Sequence, residues 1–379
     1  MRTLAWHDKS MDRPAVAIGS WYSPNKKTDN TMHESPSHTA NNDHTHLPKI
    51  VVAGAGSIGC YVGGVLASAN PNVHFFARPR ISQDLKTNGL HLSDWTGRHL
   101  DISADRIAIS TTPDILRDAD VILICVKSKD TEDMAKTIRE SGNQHATLFS
   151  LQNGVGNAAT LKRILPSHTV LPVMVPYNVV YTVGGQFHCG TEGELYCQQH
   201  PAALTLKDAA DQAHLGFELK DDMANILWGK LLLNLNNPVN ALSGIPLKQQ
   251  LENRAYRKVY AQCLKEGLAV LKAANIAPGQ VAAVPVHWIP FILALPDWLF
   301  KRLAQKMLAI DPQARSSMWE DLEQRRPVEV DFITGEIIKL GESLGIPTPM
   351  NQRLLQLVKQ AELAGNGSPN LSPSALLTP

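Results

Sequence analysis

A glycine-rich turn between a short apolar run and a helix-compatible stretch restricts the fold of this chain more than any other feature. The run Ile50–Ala53 predicts a buried strand. Directly after it come Gly54, Ala55, Gly56, Ser57, Ile58 and Gly59. In the pattern G-x-G-x-x-G the first glycine permits the tight turn, the second admits a pyrophosphate close to the backbone, and the third lets the following helix pack on the strand. The segment therefore predicts a dinucleotide-binding turn, with a helix N-terminus facing the anion.

Strands and helices alternate after this turn, which is typical of βαβ units and a parallel sheet. Further strands are predicted over residues 73–77, 121–126 and 148–151, and a helix over residues 57–68. After Asp222 the pattern changes to long amphipathic helices. These are predicted over residues 223–242, 253–274 and 314–344, the last as one helix or a broken pair.

The predicted fold class is α/β, with an N-terminal Rossmann-type dinucleotide-binding domain over residues 48–221 followed by an all-α helical domain over residues 222–363. Residues 1–47 are polar, rich in Ser, Thr, Asn, Pro and His, and predict a disordered N-terminal extension. Residues 364–379, where Pro, Ser and Asn are frequent, predict a loosely docked C-terminal tail.

Composition restricts the class of partner. The chain has 36 Lys and Arg against 35 Asp and Glu, which gives no support for nucleic-acid binding. The most apolar stretch, residues 289–300, is interrupted by two prolines and an aspartate and is too short to span a membrane. Five widely spaced cysteines predict free thiols in a reducing, cytoplasmic setting and no metal site. We expect a small-molecule partner and neither nucleic acid nor membrane.

The end of the second predicted strand indicates which dinucleotide binds. An NAD site places an acid about 20 residues after the glycine turn, to bond the ribose hydroxyls. Residues 76–80 read Phe-Ala-Arg-Pro-Arg and contain no acid. The guanidinium of Arg78 suits a 2′-phosphate, so we predict NADP(H). The alternative is that Arg78 is a solvated loop charge.

Two polar residues follow other predicted strands. Lys127 comes after residues 121–126, and Asn153 after residues 148–151. Ligands of open α/β sheets bind outside the carboxyl ends of the strands, which makes both residues candidates. Position alone leaves an ordinary loop lysine equally open for Lys127. For Asn153 it favours an ordinary turn asparagine over a functional residue.

Polar residues in an apolar helix form the next candidate group. Lys230, Asn234 and Asn237 share one helix face, but leucines between them make the helix too apolar to be solvent-exposed. Such groups need partners or a cleft, and a lysine in a partly dry cleft can donate a proton at neutral pH. The alternative is that the amides cap neighbouring backbone groups.

A later acidic segment carries a weaker signal. Glu320, Asp321 and Glu323 are explained by a solvated helix face. Glu329 differs, because Val328 and Val330 flank it. The residues alone assign Glu329 no role.

Taken together, these motifs resemble the ketopantoate reductase (2-dehydropantoate 2-reductase) family over residues 49–359. The shared marks are the glycine turn, Arg78, Lys127, Asn153-Gly154, Trp228-x-Lys230 with Asn234, Ser316-Ser317-Met318-x-x-Asp321 and Glu329-Val330-Asp331. The resemblance implies that hydride passes from NADPH to the C2 ketone of 2-dehydropantoate, giving (R)-pantoate on the route to pantothenate and coenzyme A. It also implies an active site between the two domains.

The resemblance further implies roles for individual residues. Lys230 would be the general acid, and Glu329 the carboxylate that orients the substrate hydroxyl and the lysine. The implied substrate-binding residues are Asn234, Asn237, Ser317 and Asn153. The implied cofactor-binding residues are Gly54, Ala55, Gly56, Ser57, Ile58, Gly59, Arg78, Lys127, Asn153 and Glu329.

Departures from the family pattern leave alternatives open. The second helix asparagine lies one position closer to Lys230 than in the best-known members, so Asn236, Asn237 or Asn240 could fill that role. A reductase of another 2-keto acid, or a related hydroxy-acid dehydrogenase with the same two domains, is a second reading. An NADPH-binding regulatory protein is a third. Either a monomer or a homodimer is expected.

Overall fold

The structure is a computed structural model that describes residues 47–282, 284–304 and 312–377. Most of the predicted N-terminal extension, residues 1–46, lies outside these ranges. The strands of the described part are β1 (Ile50–Ala53), β2 (Val73–Phe76), β3 (Leu90–Asp94), β4 (His99–Ile102), β5 (Ala108–Ser110), β6 (Val121–Ile124), β7 (Thr147–Ser150), β8 (Val170–Met174), β9 (Val179–Tyr181), β10 (Gln186–Cys189), β11 (Leu195–Gln198) and β12 (Phe217–Lys220).

Helices pack on the sheets in the first half of the chain, and helices are the regular elements of the described residues after Asp222. Those of the first half are α1 (Ser57–Ala69), α2 (Pro79–Asn88), α3 (Thr131–Ser141), α4 (Asn157–Ile164) and α5 (Leu204–Gln212). Those of the second half are α6 (Met223–Asn234), α7 (Asn236–Ser243), α8 (Leu247–Glu252), α9 (Arg254–Ala273), α10 (Ile289–Ala294), α11 (Asp297–Leu303), α12 (Ser317–Glu323), α13 (Val330–Leu344), α14 (Pro349–Ala364) and α15 (Pro373–Leu377).

The main sheet has the Rossmann arrangement. Its eight strands run in the order β12-β11-β8-β7-β6-β1-β2-β5, and the six from β8 to β5 are parallel. β1 lies between β2 and β6, so the chain order reverses beside β1, where open α/β sheets bind ligands. The predicted α/β fold class, with helices after a parallel sheet, is confirmed.

A second sheet was not predicted. It has four strands in the order β4-β3-β10-β9 and packs against α1, where a Cβ on Gly64 would lie 2.7 Å from the side chains of Leu90 and Leu92. These strands are short and buried on one face only, so they lack the continuous apolar run that marks β1 in the sequence.

The helix predicted over residues 223–242 is two helices. α6 ends at Asn234 and α7 begins at Asn236, with Pro238 in the first turn of α7. A proline has no N–H to donate to the preceding turn and is tolerated only where a helix begins. Of the two alternatives for residues 314–344, the broken pair is observed, as α12 and α13.

The C-terminal residues pack more closely than a loosely docked tail. Ser368 Oγ donates to the carbonyl of Ala241 at 2.7 Å, and the N–H of Leu371 donates to the carbonyl of Leu242 at 2.8 Å. Leu376 of α15 is fully buried in the helical core. The polar composition of residues 364–379 does not predict these contacts, because only a few residues of the segment make them. Within the described ranges, no helix is both long and apolar enough to cross a bilayer.

Candidate active site

The glycine turn leaves room for a ligand above it. At Gly54 (φ +105°) a Cβ atom would lie 2.7 Å from the backbone N of Val126, and at Gly59 a Cβ would lie 2.3 Å from the carbonyl oxygen of Gly54. A Cβ on Gly56 would meet no atom within 4 Å. The first and third glycines are thus required by packing, and the second faces open space that a pyrophosphate fits.

The start of α1 suits the same anion. Gly56 precedes the helix without a side-chain cap, and no acid lies in its first turn, so its N–H groups are available. The backbone N–H groups of Gly54 and Ala55 both donate to the carbonyl of Phe76, which ties the turn to the end of β2. Arg78 follows two residues later as an exposed side chain. The residues present therefore fit a dinucleotide.

An ion-pair junction joins the sheet to the helical half. Lys127, just beyond β6, places Nζ 2.5 Å from Asp321 Oδ2 of α12 and 3.8 Å from Glu329 Oε2. Asp321 is almost wholly buried, and Arg326 Nε lies 3.1 Å from its other oxygen. Lys127 therefore contacts two carboxylates of the helical half, those of Asp321 and Glu329.

Glu329, the residue before α13, is held by the sheet domain. Its Oε1 accepts hydrogen bonds from the backbone N of Ser128 at 2.9 Å and from Ser128 Oγ at 3.0 Å. Its Oε2 accepts from Asn153 Nδ2 at 3.4 Å. The structure thus brings Lys127, Asn153 and Glu329 together. It adds Ser128, which sequence reasoning missed because a serine in a turn carries no distinguishing signal.

A buried polar network fixes the Asn153 loop behind this contact. Asn157 Nδ2 donates to the carbonyl of Asn153 at 2.7 Å and to Ser128 Oγ at 3.2 Å, and Thr131 Oγ1 donates to Asn157 Oδ1 at 2.8 Å. Gly154 (φ +91°) brings the loop so close to α13 that a Cβ would lie 2.6 Å from the carbonyl oxygen of Phe332. The loop therefore has little freedom to move relative to Glu329.

Lys230 stands apart from these ion pairs. Among the described residues, no carboxylate oxygen lies within 4.0 Å of its Nζ, and Glu329 pairs with Lys127 instead. The side chain is partly exposed, yet the surrounding protein is dense enough that burial lowers the pKa of the ammonium below its usual range. A lysine without a counter-ion and with a lowered pKa is suited to giving up a proton.

The asparagines of α7 divide into two kinds. Asn236 Oδ1 accepts from Gln250 Nε2 at 2.7 Å, and Asn240 Nδ2 donates to Gln250 Oε1 at 3.1 Å. Asn240 Oδ1 also accepts from the backbone N of Ser316 at 2.8 Å, and both asparagines are buried. Their side-chain amides therefore form hydrogen bonds within the helical core and are not available to a ligand.

Two other amides remain available for a ligand. Asn234 and Asn237 are half-buried, and within the described part of the chain neither side-chain amide forms a hydrogen bond. Of the three alternatives for the second asparagine, Asn237 is the one with a free amide. Ser317 begins α12 and shares a helix face with Asp321 one turn later.

The prediction of a solvated acidic helix face is wrong for Glu320 and Asp321, because both side chains are buried. Burial is the main cause that raises the pKa of Glu320 to about 7, with Asp321 adding to it, while Arg326 and Lys127 oppose it. Burial likewise raises the pKa of Asp321. Helix periodicity could not reveal this, since the contacts of Asp321 with Lys127 and Arg326 join positions outside its own helix.

The Glu320→Gln variant should lose less stability than the wild type as pH rises. The unfolded chain loses the Glu320 proton near pH 4.5, whereas the folded protein holds it until about pH 7. The free energy of unfolding therefore keeps its full contribution from this group below pH 4.5 and loses it as pH rises through about 7. The loss is on the order of 2 to 3 kcal/mol, and glutamine removes it. Melting temperatures at pH 5 and pH 8 measure the difference, with the exposed Glu140→Gln variant as control. Parallel curves for wild type and Glu320→Gln would contradict the assignment.

Two family models match this chain, one in the half that contains the sheets and one in the helical half. The sequence model of the family described as ketopantoate reductase PanE/ApbA matches residues 50–202, and the model of its C-terminal domain matches residues 222–362. The chain is 28% identical to the 2-dehydropantoate 2-reductase of Archaeoglobus fulgidus, covering 83% of this chain and 98% of that protein. It is 26% identical to that of Halobacterium salinarum, covering 84% and 100%.

Solved structures agree in fold. The PanE/ApbA family ketopantoate reductase from Ralstonia eutropha superposes with a TM-score of 0.71 at 28% identity, covering 83% of this chain and 99% of that one. A D-mandelate dehydrogenase solved with NADH and anilino(oxo)acetate superposes with a TM-score of 0.68 at 21% identity, covering 84% and 99%, which shows a shared fold. The two family models together cover residues 50–202 and 222–362 of this chain. The chain belongs to the ketopantoate reductase family.

Proposed function

We propose that this chain reduces the C2 ketone of 2-dehydropantoate to (R)-pantoate with NADPH. The observation that carries the proposal is Lys230, a lysine with a lowered pKa and no counter-ion among the described residues, on a helix beside the free amide of Asn234. Membership of the family and the names of the relatives support the same reaction. The substrate class is a small keto acid, and the proposed assembly is a monomer or a homodimer.

NADPH is the proposed hydride donor. The open space above Gly56 and the free N-terminus of α1 support binding of the pyrophosphate. Arg78 at the end of β2, with no acid in residues 76–80, supports a 2′-phosphate. Lys127 and Asn153, at the carboxyl ends of β6 and β7, would hold the nicotinamide half. The bound cofactor supplies the hydride, and every other step falls to the protein.

Lys230 would hold the ketone oxygen and protonate it. Negative charge grows on this oxygen as hydride reaches the carbon, and an ammonium placed there stabilises that charge more than it stabilises the neutral ketone. Because burial already disfavours the charged lysine, passing the proton to the alkoxide relieves that cost.

The remaining residues would orient the substrate. Glu329, fixed by Ser128 and Asn153, offers its carboxylate to the substrate hydroxyl. The amides of Asn234 and Asn237 and the hydroxyl of Ser317 would bind the substrate carboxylate. These groups are neutral donors, which suits a single carboxylate better than a phosphate ester.

A different 2-keto acid is the second candidate. It is favoured by the spacing of the second amide, which lies one position closer to Lys230 in the sequence than in the best-known members of the family. Side-chain shape in the pocket, and not hydride chemistry, would then decide the substrate.

A substrate panel tests the proposal. NADPH oxidation would be followed at 340 nm with 2-dehydropantoate, 2-oxoisovalerate, pyruvate and phenylglyoxylate. We expect the highest kcat/KM with 2-dehydropantoate. A clear preference for another acid would favour the second candidate, and NADPH binding without turnover of any keto acid would favour a regulatory protein.

A further inference from the structure

An ion pair links the segments that follow β2 and β6, the two strands on either side of β1 and its glycine turn. Arg78 follows β2 and Asp130 lies between β6 and α3, and these two strands flank β1 on either side. Arg78 Nη2 donates to Asp130 Oδ2 at 2.9 Å. The glycine turn follows β1, so it lies between the segment that carries Arg78 and the segment that carries Asp130.

The two partners differ in how firmly they are held. The Arg78 side chain is 80% exposed, whereas that of Asp130 is 23% exposed. Asp130 Oδ1 also accepts from Lys129 Nζ at 2.6 Å, and its short side chain leaves the backbone just before α3. Arg78 is therefore the partner that can turn away to another anion, while Asp130 stays in place.

NADPH and NADH would meet this pair differently. A 2′-phosphate carries nearly two negative charges and three acceptor oxygens, so it can replace the single carboxylate of Asp130 as the hydrogen-bond partner of the Arg78 guanidinium. A ribose 2′-hydroxyl is neutral and cannot. The Asp130 carboxylate, once released, also repels the phosphate but not the hydroxyl.

We propose that Asp130 narrows the preference of this site for NADPH over NADH by competing with the 2′-phosphate of NADPH for Arg78. The proposal rests on the proposed function in taking NADP(H) as the ligand. Asp130 thus weakens NADPH binding, leaves NADH binding nearly unchanged, and narrows the preference between the two.

Binding titrations test this without any keto acid. Quenching of intrinsic tryptophan fluorescence would give Kd for NADPH and for NADH in the wild type, Asp130→Asn and Arg78→Ala. An exposed ion pair is worth roughly 0.2 to 1 kcal/mol, which is about 1.5- to 5-fold in Kd. We expect Asp130→Asn to tighten NADPH by about that factor and NADH by less than 1.5-fold. Arg78→Ala should weaken NADPH about tenfold or more, with little change for NADH.

The Asp211→Asn variant is the matched control, because it removes an exposed ion pair with Lys207 on α5. It should leave both dissociation constants unchanged. If Asp130→Asn weakens NADPH binding, Asp130 presents Arg78 to the phosphate and the proposal is wrong. An unchanged NADPH-to-NADH ratio would also overturn it. Failure to turn over 2-dehydropantoate would count against the proposed function alone, since these titrations measure binding only.

Discussion

Replacing Lys230 with alanine is expected to lower kcat by about 10²- to 10⁴-fold, the range that a positioned general acid contributes. The ammonium is the group proposed to meet the alkoxide, and burial lowers its pKa below the usual range of lysine. The dinucleotide turn is formed by other elements, so Kd for NADPH should change less than threefold. Steady-state kinetics with a parallel binding titration measure both quantities.

The control for this variant is Lys258→Ala, which removes an exposed lysine from α9. It should retain wild-type turnover. The alkaline limb of the wild-type kcat/KM profile should lie below the ordinary pKa of lysine, because burial lowers the pKa of Lys230. Turnover of Lys230→Ala within threefold of the wild type would remove Lys230 from the mechanism.

The second large effect is expected from Glu329→Gln, with kcat reduced by about 10²-fold, the cost of misplacing a reacting group by about an ångström. In the wild type both carboxylate oxygens accept: Oε1 from the backbone N and Oγ of Ser128, and Oε2 from Asn153. Glutamine has a single acceptor oxygen. Its NH₂ group would therefore face a hydrogen-bond donor, either on Asn153 or on Ser128, and that hydrogen bond would be lost. Lys127, 3.8 Å away, also loses a negative neighbour. Single-turnover rates after mixing enzyme–NADPH with substrate measure the chemical step directly.

Two further variants separate orientation from folding. Glu342→Gln changes an exposed glutamate at the other end of α13 and should leave the rate unchanged. Ser128→Ala keeps the Glu329 charge but removes one of its donors, so we expect a smaller fall in kcat than with Glu329→Gln, and recovery with Ser128→Thr. A Glu329→Gln enzyme with the wild-type single-turnover rate would contradict the role given to this carboxylate.

Local signals in the sequence predicted the parts of the site that depend on backbone conformation. β1 begins and ends where the apolar run does, and the glycines at 54 and 59 are required by close backbone approach, so their spacing was informative. The face shared by Lys230 and Asn234 follows from helix periodicity in the same way.

Contacts between distant segments could not be predicted. Ser128 and Glu329 meet although 201 positions separate them, and nothing near either residue identifies the other. Glu320 is buried although its acidic neighbours predicted a solvated helix face. Asn240 was indistinguishable from Asn237 until Gln250 and Ser316 were seen to occupy its amide.

The most direct measurement is a crystal structure of the chain with NADP⁺ and (R)-pantoate bound. The account predicts Lys230 Nζ within about 3 Å of the C2 hydroxyl oxygen, with the nicotinamide ring on the opposite side of that carbon. It also predicts Glu329 on the same ligand and the adenosine phosphate beside Arg78. A complex in which Lys230 Nζ points away from the ligand, with another group bonded to that oxygen, would contradict the account.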